Sequence, residues 1–261
     1  MLSKKYKNIY FNDIDPDMPK LFYDAIKGKY AKEKRWISRE DFNQLKDKDA
    51  YVKIVWSFGN KGTNYLYGKE IEPYKKAWWY AVMYDDFSLF WKLGINIPKI
   101  KAKTYKEKRI KIGQWLKTYS KQKTYDNRTQ ALERLERLQS LQSLEALERL
   151  QSLTFSIGSY DEVDIKKDSV IYCDIPYENT AEYVSGSFNH KKFYDWACNQ
   201  EELVVISSYD ISDKRLQRVF NVKKNSNLQG GSGKTKNEGL FIPKKQIPLW
   251  NKLTEKNIKE I

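Results

Sequence analysis

Two short runs of consecutive apolar residues, Val170-Ile171-Tyr172-Cys173 and Leu203-Val204-Val205-Ile206, constrain the fold of this chain more than any other feature. Neither alternates polar with apolar positions, so both read as strands buried in a parallel sheet. The stretch between them that ends at Asn199 has a helical texture from Phe193 onward. Strand, helix, strand is the βαβ unit, which joins parallel strands and needs helices to cover the sheet. Thr154 to Tyr160 is β-prone, and Gly239-Leu240-Phe241-Ile242-Pro243 is a further strand candidate. At the front, Asn8 to Asn12 reads as a strand that runs into Asp13-Ile14-Asp15-Pro16-Asp17. A helix over Met18 to Lys29 should follow, with Leu21, Phe22, Ala25 and Ile26 on one face. The expected class is therefore α/β.

The middle of the chain has another texture. Ser38-Arg39-Glu40-Asp41 has the form of a helix N-cap with acids in the first turn. Tyr51 to Trp56 reads as a strand, Ser57 to Asn64 as a glycine-containing loop, and the residues through Tyr74 and Trp79 as a helix. From Lys99 to Arg128 there are eleven Lys or Arg against two acids, Glu107 and Asp126. Leucines then recur every third residue from Leu132 to Leu153. At about 100° per residue, a period of three drifts backwards by about 60° per repeat, so the leucines spiral and make a poor coiled-coil seam. The tract, residues 131–153, is expected to be a repeat-expanded helix or spacer without chemistry of its own.

Charge and composition narrow the partner. Lys and Arg outnumber Asp and Glu by 48 to 34, a net charge of +14, and 15% of residues are aromatic. Basic residues interleaved with aromatics suit a polyanion with unstacked bases. Two cysteines, Cys173 and Cys198, and one histidine, His190, argue against a disulfide scaffold, a cysteine zinc site and a histidine-rich metal centre. No metal and no membrane partner is expected. No apolar run approaches the ~20 residues of a bilayer span, and the Lys-rich start lacks the apolar core of a signal peptide. A cytoplasmic location follows as the expectation.

The chemistry concentrates in Cys173-Asp174-Ile175-Pro176-Tyr177. Open α/β sheets hold their ligands at the carboxyl ends of parallel strands, where this carboxylate falls. An exocyclic amine suits such a place: Asp174 can accept one amino hydrogen, the Ile175 carbonyl the other, and the Tyr177 ring can stack on the base. An ordinary turn after a strand would have the same four residues. Gly231-Ser232-Gly233-Lys234-Thr235 resembles the tail of a phosphate-binding loop, but Leu228 stands where its first glycine belongs, and a flexible basic loop is expected instead. His190, beside Lys191 and Lys192, should be a surface or capping residue at a helix start.

Asp174-Ile175-Pro176-Tyr177 resembles the Asp-Pro-Pro-Tyr motif of the Dam-type N6-adenine DNA methyltransferases, including phage and prophage adenine methylases, with Ile175 replacing the first proline. Asn12-Asp13-Ile14-Asp15 is similar to the family's acidic motif for the ribose of S-adenosylmethionine, and Ile37 to Asn43 to its Arg-Glu-Glu-Phe-Asn segment. Phe58-Gly59-Asn60-Lys61-Gly62 resembles its Phe-Gly-Tyr-Asn-Gly loop near substrate. Leu203 to Asp210 resembles the strand ending in Ser-Asn-x-Asp, and Gly233 to Leu240 the C-terminal basic segment.

The resemblance implies a Rossmann-like, S-adenosylmethionine-dependent core over residues 1–35 and 154–261, with a mainly helical, basic recognition insertion over 36–153 that ends in the leucine repeat. It implies adenine N6 methylation in double-stranded DNA by Asp174, Ile175, Pro176 and Tyr177. Asp13, Asp15 and Cys173 would contact the cofactor, and Phe58, Asn60, Lys61, Lys101, Lys103, Lys108, Arg109 and Lys111 the DNA. Base flipping requires such a basic surface and an aromatic pocket.

The family's first strand and Phe-x-Gly-x-Gly loop should precede Asn12 by roughly twenty or more residues, and only eleven precede it here, none a glycine. An upstream polypeptide would then supply that loop, or the chain would be an inactive remnant or half of a split enzyme that keeps DNA binding. Cytosine N4 or RNA methylation by the same motif is a further alternative. One internal substitute for the loop exists: a strand over Val52 to Trp56, the glycines 59 and 62, a helix, and a second strand Tyr80 to Tyr84 ending in Asp85-Asp86.

Overall fold

The computed structural model describes residues 8–59, 62–119, 130–141, 153–178, 188–222 and 238–258. It is a mixed α/β structure with parallel and antiparallel sheets, divided into two compact units, Met1–Gly158 and Ser159–Ile261. Among the described residues, no helix is long and apolar enough to cross a membrane.

The first unit opens with β1 (Ile9–Asp13) and α1 (Asp17–Ile26), the strand and helix expected there. Strand β1 pairs in parallel with β4 (Leu153–Ile157), Ile9 opposite Leu153 through Asp13 opposite Ile157. Between them lie α2 (Arg39–Leu45), α3 (Ala50–Val55), the hairpin of β2 (Ser57–Phe58) and β3 (Asn64–Tyr65), and α4 (Glu72–Tyr84). Helices α5 (Ser88–Lys92), α6 (Tyr105–Tyr119) and α7 (Gln130–Ser140) complete the unit. Ser38 caps α2 as expected: it accepts from Asp41 N at 3.1 Å while the Asp41 carboxylate reaches back to Ser38 N.

Tyr51 to Val55 lie in helix α3 and Trp56 caps its end, which corrects the strand expected there. In a strand, Lys53 would share a face with Tyr51 and Val55; in a helix, Tyr51, Val52 and Val55 turn inward together and are buried. Lys53 meanwhile pairs with Asp17 at 2.6 Å, and Asp49 caps the helix by accepting from Tyr51 N. Tyr80–Tyr84 is likewise helical, because α4 begins with Pro73 in its first turn and continues unbroken until Asp85 adopts a left-handed conformation at φ 57°. With both strands gone, the internal substitute for the cofactor loop falls.

The aromatic excess is spent largely on the core of this unit. Trp56, Trp78, Trp79, Tyr51, Tyr65 and Tyr67 are buried, and Trp36 packs edge-on to Trp56 and Trp79 and stacks on Tyr67. The described leucines of the repeat enter the same core. Leu132 and Leu135 are fully buried, Leu138 is buried and Leu141 packs against them. The described part of the repeat is helical, as in the first of the two expected forms, and it is a core element instead of a spacer. Three leucines at a spacing of three cover only about 120° of helix surface, which together with Ala131 makes one adequate apolar face. The spiral expected for the longer run falls on residues 142–152, which lie outside the described residues. Arg134, on the same helix, donates to the carbonyls of Ile54, Val55 and Ser57 at 2.8–3.0 Å and so satisfies the end of α3.

The second unit is a four-stranded sheet in the order β5 (Val170–Asp174), β6 (Leu203–Ser208), β8 (Glu238–Pro243), β7 (Leu216–Val222). Strands β5 and β6 are parallel and joined through α8 (His190–Asn199), the expected βαβ unit, while β8 runs antiparallel to both neighbours. All six residues of β6 are buried. Val204 and Ile206 face Phe193 and Ala197 of α8, whereas Leu203 and Val205 face Ile247, Trp250 and Leu253 of α9 (Ile247–Ile258). The consecutive apolar run of β6 is thus explained by helices on both faces. Strand β5 departs from the fully buried expectation: it is the edge of the described sheet, and its Tyr172 is exposed.

Candidate active site at the carboxyl ends of two parallel strands

Parallel pairing sets Asp174 opposite Ser207, so β5 and β6 deliver their carboxyl ends side by side. Asp174 is exposed at the end of β5, and the chain turns inward after it: Ile175 is buried against Phe193 and Val204, which anchors the turn. Pro176 removes a backbone donor and fixes its own φ. Its carbonyl lies 2.8 Å from His190 Nε2, so the only histidine ties the turn to the start of α8. His190 was expected as a surface or capping residue; Asn189 is the cap, accepting from Lys192 N. Among the described residues, no donor reaches the Ile175 carbonyl.

Tyr177 is half-buried, with its hydroxyl donating to Glu238 Oε1 at 3.0 Å and its ring edge-on to Tyr209 at 4.7 Å. Burial, with the nearby carboxylates of Asp174 and Glu238, holds the phenol well above its ordinary pKa, so it stays protonated and a donor. Ser207 Oγ donates to the same Glu238 oxygen at 2.7 Å. Beyond Tyr177, Glu178 accepts from Tyr194 Oη at 2.6 Å and from Ser212 N and Oγ. These three, with His190, Lys191 and Asp213, line an open recess.

Cys173 is half-buried on β5, and burial pushes its thiol up to about 12. It can offer contact surface but no thiolate chemistry.

In the first unit, Asp13 ends β1 and begins a ladder of side-chain turns: Asp13 Oδ1 accepts from Asp15 N at 2.9 Å, and Asp15 Oδ1 from Asp17 N at 3.0 Å. Asp15 and Asp17 share Lys53. Asp13 forms no ion pair among the described residues, and burial raises its carboxyl above the usual range against the lowering effect of the backbone donors. The Asn12 side chain bonds Gly158 O and Ser156, fixing the ends of β1 and β4 together.

The residues expected at DNA are placed unevenly. Phe58 is exposed before Gly59, whose positive φ of 78° opens the hairpin turn, while Asn60 and Lys61 lie outside the described residues. Lys101 and Lys103 are exposed. Lys108 is held by Asp85, Lys111 pairs with Glu107 at 2.7 Å, and Arg109 is clamped between Glu133 and Glu136 of α7 at 2.8 and 3.2 Å. Lys99, Lys106 and Lys117 are exposed as well, whereas residues 121, 123 and 128 of the basic segment and residues 231–235 lie outside the described residues.

Two functional candidates had weak signals in the sequence. Glu238 is a lone charge heading an apolar strand. Gly239, beside Ser208, leaves room for Arg218: a Cβ there would come within about 3.0 Å of the guanidinium, which stacks on Phe241 and donates to the Tyr209 carbonyl. No family model and no curated protein matches the chain.

Proposed function

We propose that the chain is a DNA adenine N6-methyltransferase with a Rossmann-like core, using S-adenosylmethionine. One observation carries this reading: an exposed carboxylate and a half-buried, hydroxyl-anchored tyrosine stand at the neighbouring carboxyl ends of two parallel strands. Asp174 and the Ile175 carbonyl accept the two hydrogens of the adenine amino group. This turns the nitrogen lone pair out of conjugation and toward an electrophile. Tyr177 offers its ring to the flipped base, and its position leaves little freedom to rotate away. The cofactor supplies an activated methyl group. Asp13 suits its ribose, since a half-buried carboxylate at a strand end, with one oxygen on a backbone donor, can accept from the vicinal hydroxyls. Lys101 and Lys103, exposed with Lys99, Lys106 and Lys117 of the same segment, suit contacts to phosphates.

The test is transfer of labelled methyl groups from S-adenosylmethionine to unmethylated genomic DNA, followed by hydrolysis and identification of the labelled base. The reading expects N6-methyladenine. Label in cytosine, in RNA alone, or in nothing with the cofactor shown by calorimetry to bind would replace it.

A further inference from the structure

Among the described residues, Glu238 is the one buried acid in the second unit's sheet. It heads β8, a strand whose other residues are Gly, Leu, Phe, Ile and Pro. An apolar residue there would avoid the cost of burying a charge. The structure instead directs two hydroxyls at a single oxygen, Tyr177 Oη at 3.0 Å and Ser207 Oγ at 2.7 Å, and those two lie 3.5 Å from each other.

The geometry matters for the tyrosine. With the backbone held by the turn and the hydroxyl held by Glu238, the ring retains one freedom, rotation about its own long axis. Tyr209, edge-on at 4.7 Å and an interplanar angle of 75°, restricts that rotation. Arg218 in turn donates to the Tyr209 carbonyl from its seat over Gly239. A tyrosine that serves only as packing needs no such double restraint; one whose face must meet a base does.

We propose that Glu238 is a positioning residue, which fixes the direction of the long axis of the Tyr177 ring through its hydroxyl, while Tyr209 limits rotation about that axis. This rests on the reading of Asp174–Tyr177 as a base pocket, and two measurements on the full chain separate the two ideas. In the first, 3-fluorotyrosine at position 177 is observed by fluorine NMR. The wild type and E238Q, which keeps an acceptor oxygen, should give one resonance at closely similar shifts, and E238A a displaced resonance. An unchanged resonance in E238A, with a melting curve showing it folded, would overturn the anchor.

In the second, methyl transfer to genomic DNA is measured. E238A and Y177F should each lose roughly 100-fold in kcat/KM, the cost of a misplaced contact. E238Q should recover most of that loss. The double variant E238A/Y177F should be no worse than E238A. Losses that multiply, or an E238Q as impaired as E238A, would contradict positioning through the hydroxyl. If the wild type transfers no methyl group, the base-pocket reading fails while the fluorine result still decides the anchor.

Discussion

Both units tie cations down, the second through Arg215 with Asp195 and Asp213, but their polar groups serve different surroundings. In the first, cations are tied down by the fold: Arg134 is consumed by three carbonyls at the end of α3, Arg109 by two glutamates of α7, and Lys53 by Asp15 and Asp17. In the second, polar groups converge where two parallel strands end, and the sheet beneath them is apolar on both faces. The difference teaches that a high net charge does not by itself map a binding surface. Within the basic segment, Arg109 is better explained by the glutamates it holds than by a phosphate, whereas Lys101 and Lys103 retain the exposure a phosphate contact needs.

Substitutions can break this contrast. The largest effect is expected at the site: D174A should reduce methyl transfer by at least about 100-fold, the scale of losing a preorganised hydrogen-bonding partner, with filter binding to DNA unchanged. In the first unit, L135A should cost about 3 kcal/mol in urea unfolding, as for other fully buried leucines. R134A should cost about 2 kcal/mol, because carbonyls at the end of α3 lose their donor. If residues 130–141 were only a spacer, neither change would move the midpoint.

The smaller effects separate the cations. K101A/K103A should lower DNA affinity a few-fold and reduce the salt slope by about 2. R109A should leave the slope unchanged and lower stability instead. Smallest of all, Cys173 should react with a thiol reagent at pH 8 far more slowly than an unhindered cysteine. Its thiol is held up to about 12, so the thiolate fraction at pH 8 is negligible and grows only as the pH approaches that value.

Much of the second unit was legible because its signals are local. Apolar runs bounded by turn residues located β5 and β6, and the strand-end acid located the turn. Glu238 was not legible in the same way, since it meets Tyr177 only when β8 pairs with β6, some sixty residues further along the chain. The first unit misled twice for one physical reason. Tyr51–Trp56 and Tyr80–Tyr84 are rich in β-formers, yet both are short apolar stretches whose inward faces only tertiary packing decides. The leucine repeat was legible as a helix but not as part of the core, since its period is poor for a long seam and sufficient for three turns. Part of the candidate DNA surface, including Asn60 and Lys61, lies outside the described residues and bears on neither outcome.

The central claim is that Asp174, at the end of β5, presents an adenine amino group for methylation. Its most direct test is methyl incorporation from labelled S-adenosylmethionine into unmethylated duplex DNA by the wild type and D174A, with the product base identified. The wild type should yield N6-methyladenine, and D174A no incorporation above background. Equal incorporation by the two proteins, or label on any other base, would contradict the claim.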